Sequence, residues 1–166
     1  MTEQILLDTN FVSALFDNRR PNFAAVQARA HSFGESDLVY LSVVVLAELR
    51  YGMEAAQHVG QDISHIRRTL TRAAAYPLAE IGRHTAEAYG DVKARLAHHY
   101  LDLSRRAPRW LEDWRDRASS KTLQVDENDL WIVAQAVERD YLLVTCDQRL
   151  AERFVPALPE LRLLVV

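Results

Sequence analysis

The 166-residue chain reads as an α/β protein, a three-layer α/β/α domain around a mostly parallel sheet. Three observations predict this. Short apolar runs recur along the chain, at Ile5-Leu6-Leu7, Leu38–Leu41, Leu142–Val144 and Leu161–Val165. Such runs read as strands buried on both faces. Longer stretches with apolar residues at helical spacing separate them, and strands alternating with helices build parallel sheets. Several runs also end in acidic or small polar residues: Asp8-Thr9-Asn10, Ser42, and Thr145-Cys146-Asp147. Carboxyl ends of parallel strands are where open α/β sheets place their ligands.

Taken in order, Gln4 to Leu7 is the first strand, and Asn10 to Phe16 a short helix. Asp8 is also a favoured residue for capping that helix, so capping and ligation stand as alternatives for it. Asp17 to Pro21 is a loop, and Asn22 caps a helix with Phe23, Val26, Ala30 and Phe33 on one face, ended by Gly34. Leu38–Leu41 is a strand, and Ser42 caps a helix from Val43 to about Gln57. A helix from near Asp62 to Ala75 carries Arg67, Arg68 and Arg72 on one side. Tyr76-Pro77-Leu78 is an extended connector or a short strand. A long helix covers Arg83 to His99, and another Asp129 to Arg139. Tyr141–Thr145 is a strand, Gln148–Phe154 a short helix, and Leu161–Val165 the last strand.

The length suits one domain spanning 1–166, and 49% hydrophobic residues supply a core. Five Gly and five Pro leave no room for a long flexible linker. No apolar run approaches a membrane span, and the amino terminus lacks a secretory pattern, so a cytoplasmic protein is expected. The single cysteine, Cys146, excludes an internal disulfide. A net charge of −3 provides no global basic field, which argues against a simple sequence-reading DNA binder.

Arg105 to Lys121 interrupts the rhythm, with six basic residues, three acidic residues and two tryptophans. Arg105, Arg106, Arg109, Trp110 and Trp114 could grip a nucleic-acid backbone and stack on bases. The commoner use of such a pattern is an amphipathic surface helix, with Trp110, Leu111 and Trp114 packed and the charges solvated. The second reading is the expectation here.

Four acids carry the functional signal. Glu48 lies in the apolar helix Val43–Gln57 with Val44, Val45 and Gly52 on its own face. A carboxylate there is costly unless paired, for instance with Arg50, or metal-bound. Asp129 opens a buried helix, where either Asp126 or Asn128 could be the cap. Asp147 follows a strand and could cap the helix after it. Each acid with Asp8 has a plain structural alternative; the set has none. Four carboxylates converging at one sheet edge would repel by about 4 kcal/mol per pair at about 4 Å and an effective dielectric near 20. A hard divalent cation with oxygen ligands, Mg²⁺ or Mn²⁺, is the natural compensation, and such ions promote phosphoryl chemistry. No Gly-rich phosphate loop, HExxH, CxxC or Gly-x-Ser-x-Gly motif competes, and the six His are scattered.

The segments Leu6–Asn10, Ser42–Gly52, Asn128–Ala136 and Leu142–Asp147 together resemble the PIN-domain ribonucleases, and within them the VapC-type toxins of bacterial toxin–antitoxin pairs. The resemblance covers most of the chain in order and spacing. It implies a PIN-like fold, RNA as substrate, a small antitoxin protein as partner and a homodimer. It also implies that Asp8, Glu48, Asp129 and Asp147 hold one or two Mg²⁺ or Mn²⁺, supported by Thr9 or Asn10 and by Ser42, Asn128 and Thr145. The chain departs from the family pattern in an added stretch at about 101–121 and in Val133 where alanine is usual. Cys146 beside a metal acid reads as an ordinary half-buried cysteine, since Mg²⁺ prefers oxygen.

Three other classes are alternatives. A non-catalytic RNA- or antitoxin-binding module on the same fold is separated from the enzyme by metal-dependent cleavage. A small-molecule phosphatase would carry a second Asp two residues after Asp8, but position 10 is Asn. A receiver domain would add paired acids near residue 8 and a late Lys, and neither is present.

Overall fold

The computed structural model describes residues 2–166. Five strands, β1 (Gln4–Leu7), β2 (Leu38–Ser42), β3 (Leu78–Ala79), β4 (Leu142–Thr145) and β5 (Leu163–Val165), form one sheet in the order β3-β2-β1-β4-β5. Every pairing is parallel. Leu7 lies beside Leu41 on one side and Val144 on the other, which brings the ends of β1, β2 and β4 level. Successive strand side chains point to opposite faces. Ile5, Leu6 and Leu7 are all buried, so helices cover both faces of β1 and the domain has three layers.

Among the described residues seven helices complete it: α1 (Thr9–Leu15), α2 (Phe23–His31), α3 (Val43–His58), α4 (Ser64–Ala73), α5 (Arg83–Tyr100), α6 (Glu127–Arg139) and α7 (Gln148–Phe154). Outside residues 105–121 the expected elements are present with small shifts at their ends. Ser42 caps α3 as expected, its hydroxyl accepting from the Val44 amide at 3.0 Å. α6 begins two residues earlier than the apolar periodicity indicates, because Asp126 is its cap and accepts from the Asp129 amide at 2.9 Å; Asn128 is therefore not the cap. Asp140, at φ 53°, turns the chain from α6 towards β4. The connector after Tyr76 does pair, as the two-residue edge strand β3. Asn22 occupies the cap position of α2 without a side-chain capping bond, and the helix ends at His31, before Gly34.

The expected amphipathic helix over 105–121 is absent. Only Leu111–Asp113 forms a single 3₁₀ turn. Pro108 lacks an amide proton and disfavours helix at Ala107 before it. Downstream, Asp116 accepts from the Ala118 amide and the Ser119 hydroxyl, a local turn that competes with helix. Ser120, at φ 58°, reverses the chain into an antiparallel bridge between Arg115 and Thr122. Leu111 and Trp114 are buried in the core, and the Trp114 indole donates to the Pro108 carbonyl at 3.0 Å. Trp110 does not pack with them; it is 58% exposed, with the Arg109 guanidinium 4.7 Å from its ring centre. The segment is a loop pinned by two apolar anchors.

Candidate metal centre

The strand ends supply the first ligand candidates. Asp8 directly follows β1 and is almost fully buried. It occupies the cap position of α1, yet its carboxylate caps nothing. It accepts instead from the Thr145 hydroxyl at 2.7 Å. The same Thr145 oxygen accepts from the Asp147 amide at 2.9 Å, so one side chain at the end of β4 ties two acids together. Asp147 caps α7 through the Arg149 amide at 2.9 Å. Glu48 leaves α3 and is held from both sides: Asn128 Nδ2 donates to it at 2.9 Å, and the Thr9 hydroxyl donates to its other oxygen. Arg50 is not its partner, since Arg50 pairs with Glu54 one turn on. Asp129 opens α6 beside Asn128.

All four acids line one open cavity of about 460 Å³, together with Thr9 and Asn10. Asn128 and Thr145 support it from behind through the bonds above. Ser42 does not face it and is buried as the α3 cap. Arg105, Arg106, Arg109 and Trp110 are not among its walls. Trp114 is buried, so it has no face to offer a base. Two further carboxylates, Asp126 and Glu112, are wall residues that the sequence reading did not pick out. Asp126 carried a signal as a cap three residues before Asp129; Glu112 reaches the cavity only because its segment folds back as a loop. The walls thus hold six carboxylates and a single cation, Arg149, among the described residues.

This crowding shows in the proton affinities. Burial raises the Asp8 carboxyl above its ordinary range; the Thr145 bond opposes the shift, while the charges of Glu48 and Asp147 add to it. Asp129 is pushed up to about 7, first by burial and then by the charges of Asp126 and Asp8. A site that holds protons this tightly is short of positive charge.

The donor set suits a hard divalent cation: six carboxylates with hydroxyl and amide oxygens beside them, and no thiolate or imidazole among the walls. Among the described residues no three His, Cys, Asp or Glu side chains stand at ligand spacing. Fold and site together define an α/β domain of the acid-cluster type, with hard-cation donors at the carboxyl edge of a parallel sheet.

The chain belongs to the PIN-domain family, whose model matches residues 5–154. PIN domains are nucleases, generally dependent on a divalent metal. Solved structures share the fold. VapBC-1 from nontypeable Haemophilus influenzae is 20% identical, with a TM-score of 0.64 over 98% of this chain and 97% of that one. VapBC-5 from Mycobacterium tuberculosis, of the VapBC family of toxin–antitoxin systems, is 23% identical, with a TM-score of 0.62 over 98% of both chains. Mycobacterium tuberculosis VapC20, a Sarcin-Ricin loop cleaving toxin, is 14% identical, with a TM-score of 0.53 over 89% of this chain and 93% of that one. No curated protein matches the chain.

Proposed function

We propose that this protein is an Mg²⁺- or Mn²⁺-dependent endoribonuclease that hydrolyses RNA phosphodiester bonds, and the toxin of a toxin–antitoxin pair. The observation that carries the reading is the meeting of Asp8, Glu48, Asp129 and Asp147 in one cavity at the sheet edge. Asp8 and Asp129 would be the principal metal ligands, with Glu48 and Asp147 completing the shell or orienting water. A bound divalent ion supplies an acidified water and neutralises charge on the phosphoryl group. The chain's own residues do the positioning. Thr9 and Asn128 hold Glu48, Thr145 fixes Asp8 against the Asp147 backbone, and the open cavity admits an RNA strand. The toxin assignment draws support from the VapBC complexes among structures of this fold, and RNA as substrate from VapC20. A small antitoxin protein, a homodimeric working unit and a cytoplasmic location belong to the same reading.

The test is cleavage of a labelled RNA in Mg²⁺ and Mn²⁺ by the parent, Asp8→Asn and Asp129→Asn, with circular dichroism to verify folding. Each variant, and the parent in EDTA, should lose at least about 100-fold in rate. An Asp8→Asn protein that cuts as fast as the parent would sink the assignment. Induced expression should arrest growth, and co-expression of a small protein encoded next door, or the Asp8→Asn change, should relieve it.

A further inference from the structure

The carboxylate cavity has a neighbour of opposite character. Where α1, the α1–α2 loop and the start of α7 meet lies a polar cavity of about 280 Å³, walled by Asn10, Arg20, Asn22, Cys146, Asp147 and Arg149. Asn10, Asp147 and Arg149 line both cavities, so the two share a rim. The second contains two guanidinium groups against one carboxylate.

Both arginines are only loosely engaged by the fold. Arg19 grips Asp17 through bonds of 2.8 and 2.9 Å, which leaves Arg20 at 3.9 Å from that carboxylate. Arg149 lies 3.5 Å from Asp147 Oδ1, and its side chain is 66% exposed. Asn10 makes no side-chain hydrogen bond among the described residues and is exposed. Paired guanidiniums with amide side chains beside them suit a phosphate oxygen set. A carboxylate-rich cavity in a chain of net charge −3 repels an RNA backbone, whereas affinity for nucleic acid comes mainly from cations on phosphates. The strand therefore needs positive charge close to the acids, and these two residues supply it.

Resting on the ribonuclease reading, we infer that this second cavity binds the RNA backbone phosphate adjacent to the one being cleaved, held by Arg20 and Arg149. The contact is sequence-independent. It sets the strand's position, while the carboxylate cavity receives the scissile phosphate.

Two measurements and a protection assay test it. The first is steady-state cleavage in Mn²⁺ by the parent, Arg20→Ala, Arg149→Ala, and the lysine replacement at each position. The second is binding of fluorescein-labelled hexauridylate against salt, in the uncleaving Asp129→Asn background. Each alanine change should raise KM about five- to tenfold, with a smaller fall in kcat, and should lower the salt slope by about 0.7, one phosphate contact on a single strand. Lysine should restore most of the binding. Arg83→Ala, on α5 beside the far end of α6 where Thr85 meets Glu138, should change neither quantity. Hexauridylate should also slow alkylation of Cys146 by iodoacetamide in Asp129→Asn, but not when Arg20→Ala is added.

If the parent cleaves and both alanine variants keep its KM and salt slope, the inference is overturned and the ribonuclease reading stands. An effect confined to Arg149→Ala also overturns it, for that residue would act only through Asp147. If the parent cuts no RNA, the ribonuclease reading fails; hexauridylate binding that still depends on both arginines then upholds the phosphate contact, and binding indifferent to them refutes it.

Discussion

At the scale of single residues, Asp129 and Thr145 carry the sharpest consequences. The Asp129 carboxyl is raised from 3.8 to about 7 in the folded protein. Between those values the folded, metal-free protein holds a proton that the unfolded chain has released. Its stability must therefore fall as pH rises through that window. Urea melts in EDTA should show a protein more stable at pH 5 than at pH 8, by about 2 kcal/mol once partial exposure is discounted. Asp8 shifts in the same direction and adds to the slope. Asp129→Asn should remove much of the difference; a slope identical to the parent's would show that the pressure on this carboxyl has another source. Thr145 serves two acids with one hydroxyl. Thr145→Val keeps the shape and removes both bonds, so it should cost about 1–3 kcal/mol and lower cleavage about 10- to 100-fold. Full activity in that variant would mean that Asp8 is positioned by the backbone alone.

At the scale of elements, the loop over 105–121 and the cap of α6 decide how the cavity is walled. Trp114→Ala removes a buried anchor and should destabilise the protein by about 3 kcal/mol, whereas Trp110→Ala should fall within about 0.5 kcal/mol of the parent. Equal effects in chemical denaturation would contradict the loop's orientation. The contrast also shows where reading the sequence stops. The strands and helices were legible because one-dimensional periodicity and polar ends specify them. Only element boundaries moved, as where Asp126 starts α6 ahead of its apolar run. The loop was not legible. Spacing of Trp110, Leu111 and Trp114 is helical, and nothing local says that Pro108 and the Asp116 turn override it. Which tryptophan is buried depends on contacts with distant residues, as when Leu123 donates its amide to the Trp114 carbonyl at 2.8 Å.

At the scale of the whole molecule, the candidate site trades stability for charge. Asp8, Glu48, Asp129 and Asp147 could be read from the sequence because each sits at a strand end, a helix start or an apolar helix face. Glu112 and the Arg20–Arg149 pair could not, since their relevance arises only when loops close over the sheet edge. Relief of repulsion should be visible in the intact protein. Mn²⁺ should raise the melting temperature of the parent at pH 8 in proportion to the logarithm of its concentration. Asp8→Asn and Asp129→Asn should melt higher than the parent without metal and gain little from it. A parent whose melting temperature ignores Mn²⁺ would show that the cavity binds no metal in the folded state.

The sheet order has one more implication, for the ribosome. β1 lies between β2, which precedes α3, and β4, which follows α6. The seam between β1 and β4 joins residues separated by more than a hundred positions, Leu7 and Val144 among them. Asp8 and Glu48 are translated early; Asp129 and Asp147 come from the last quarter of the chain. A nascent polypeptide that has passed residue 100 thus carries two of the six cavity carboxylates and lacks the strand that would bring the others alongside. On the function proposed above, synthesis is silent until nearly complete, and a prematurely terminated product cannot attack the message that encodes it.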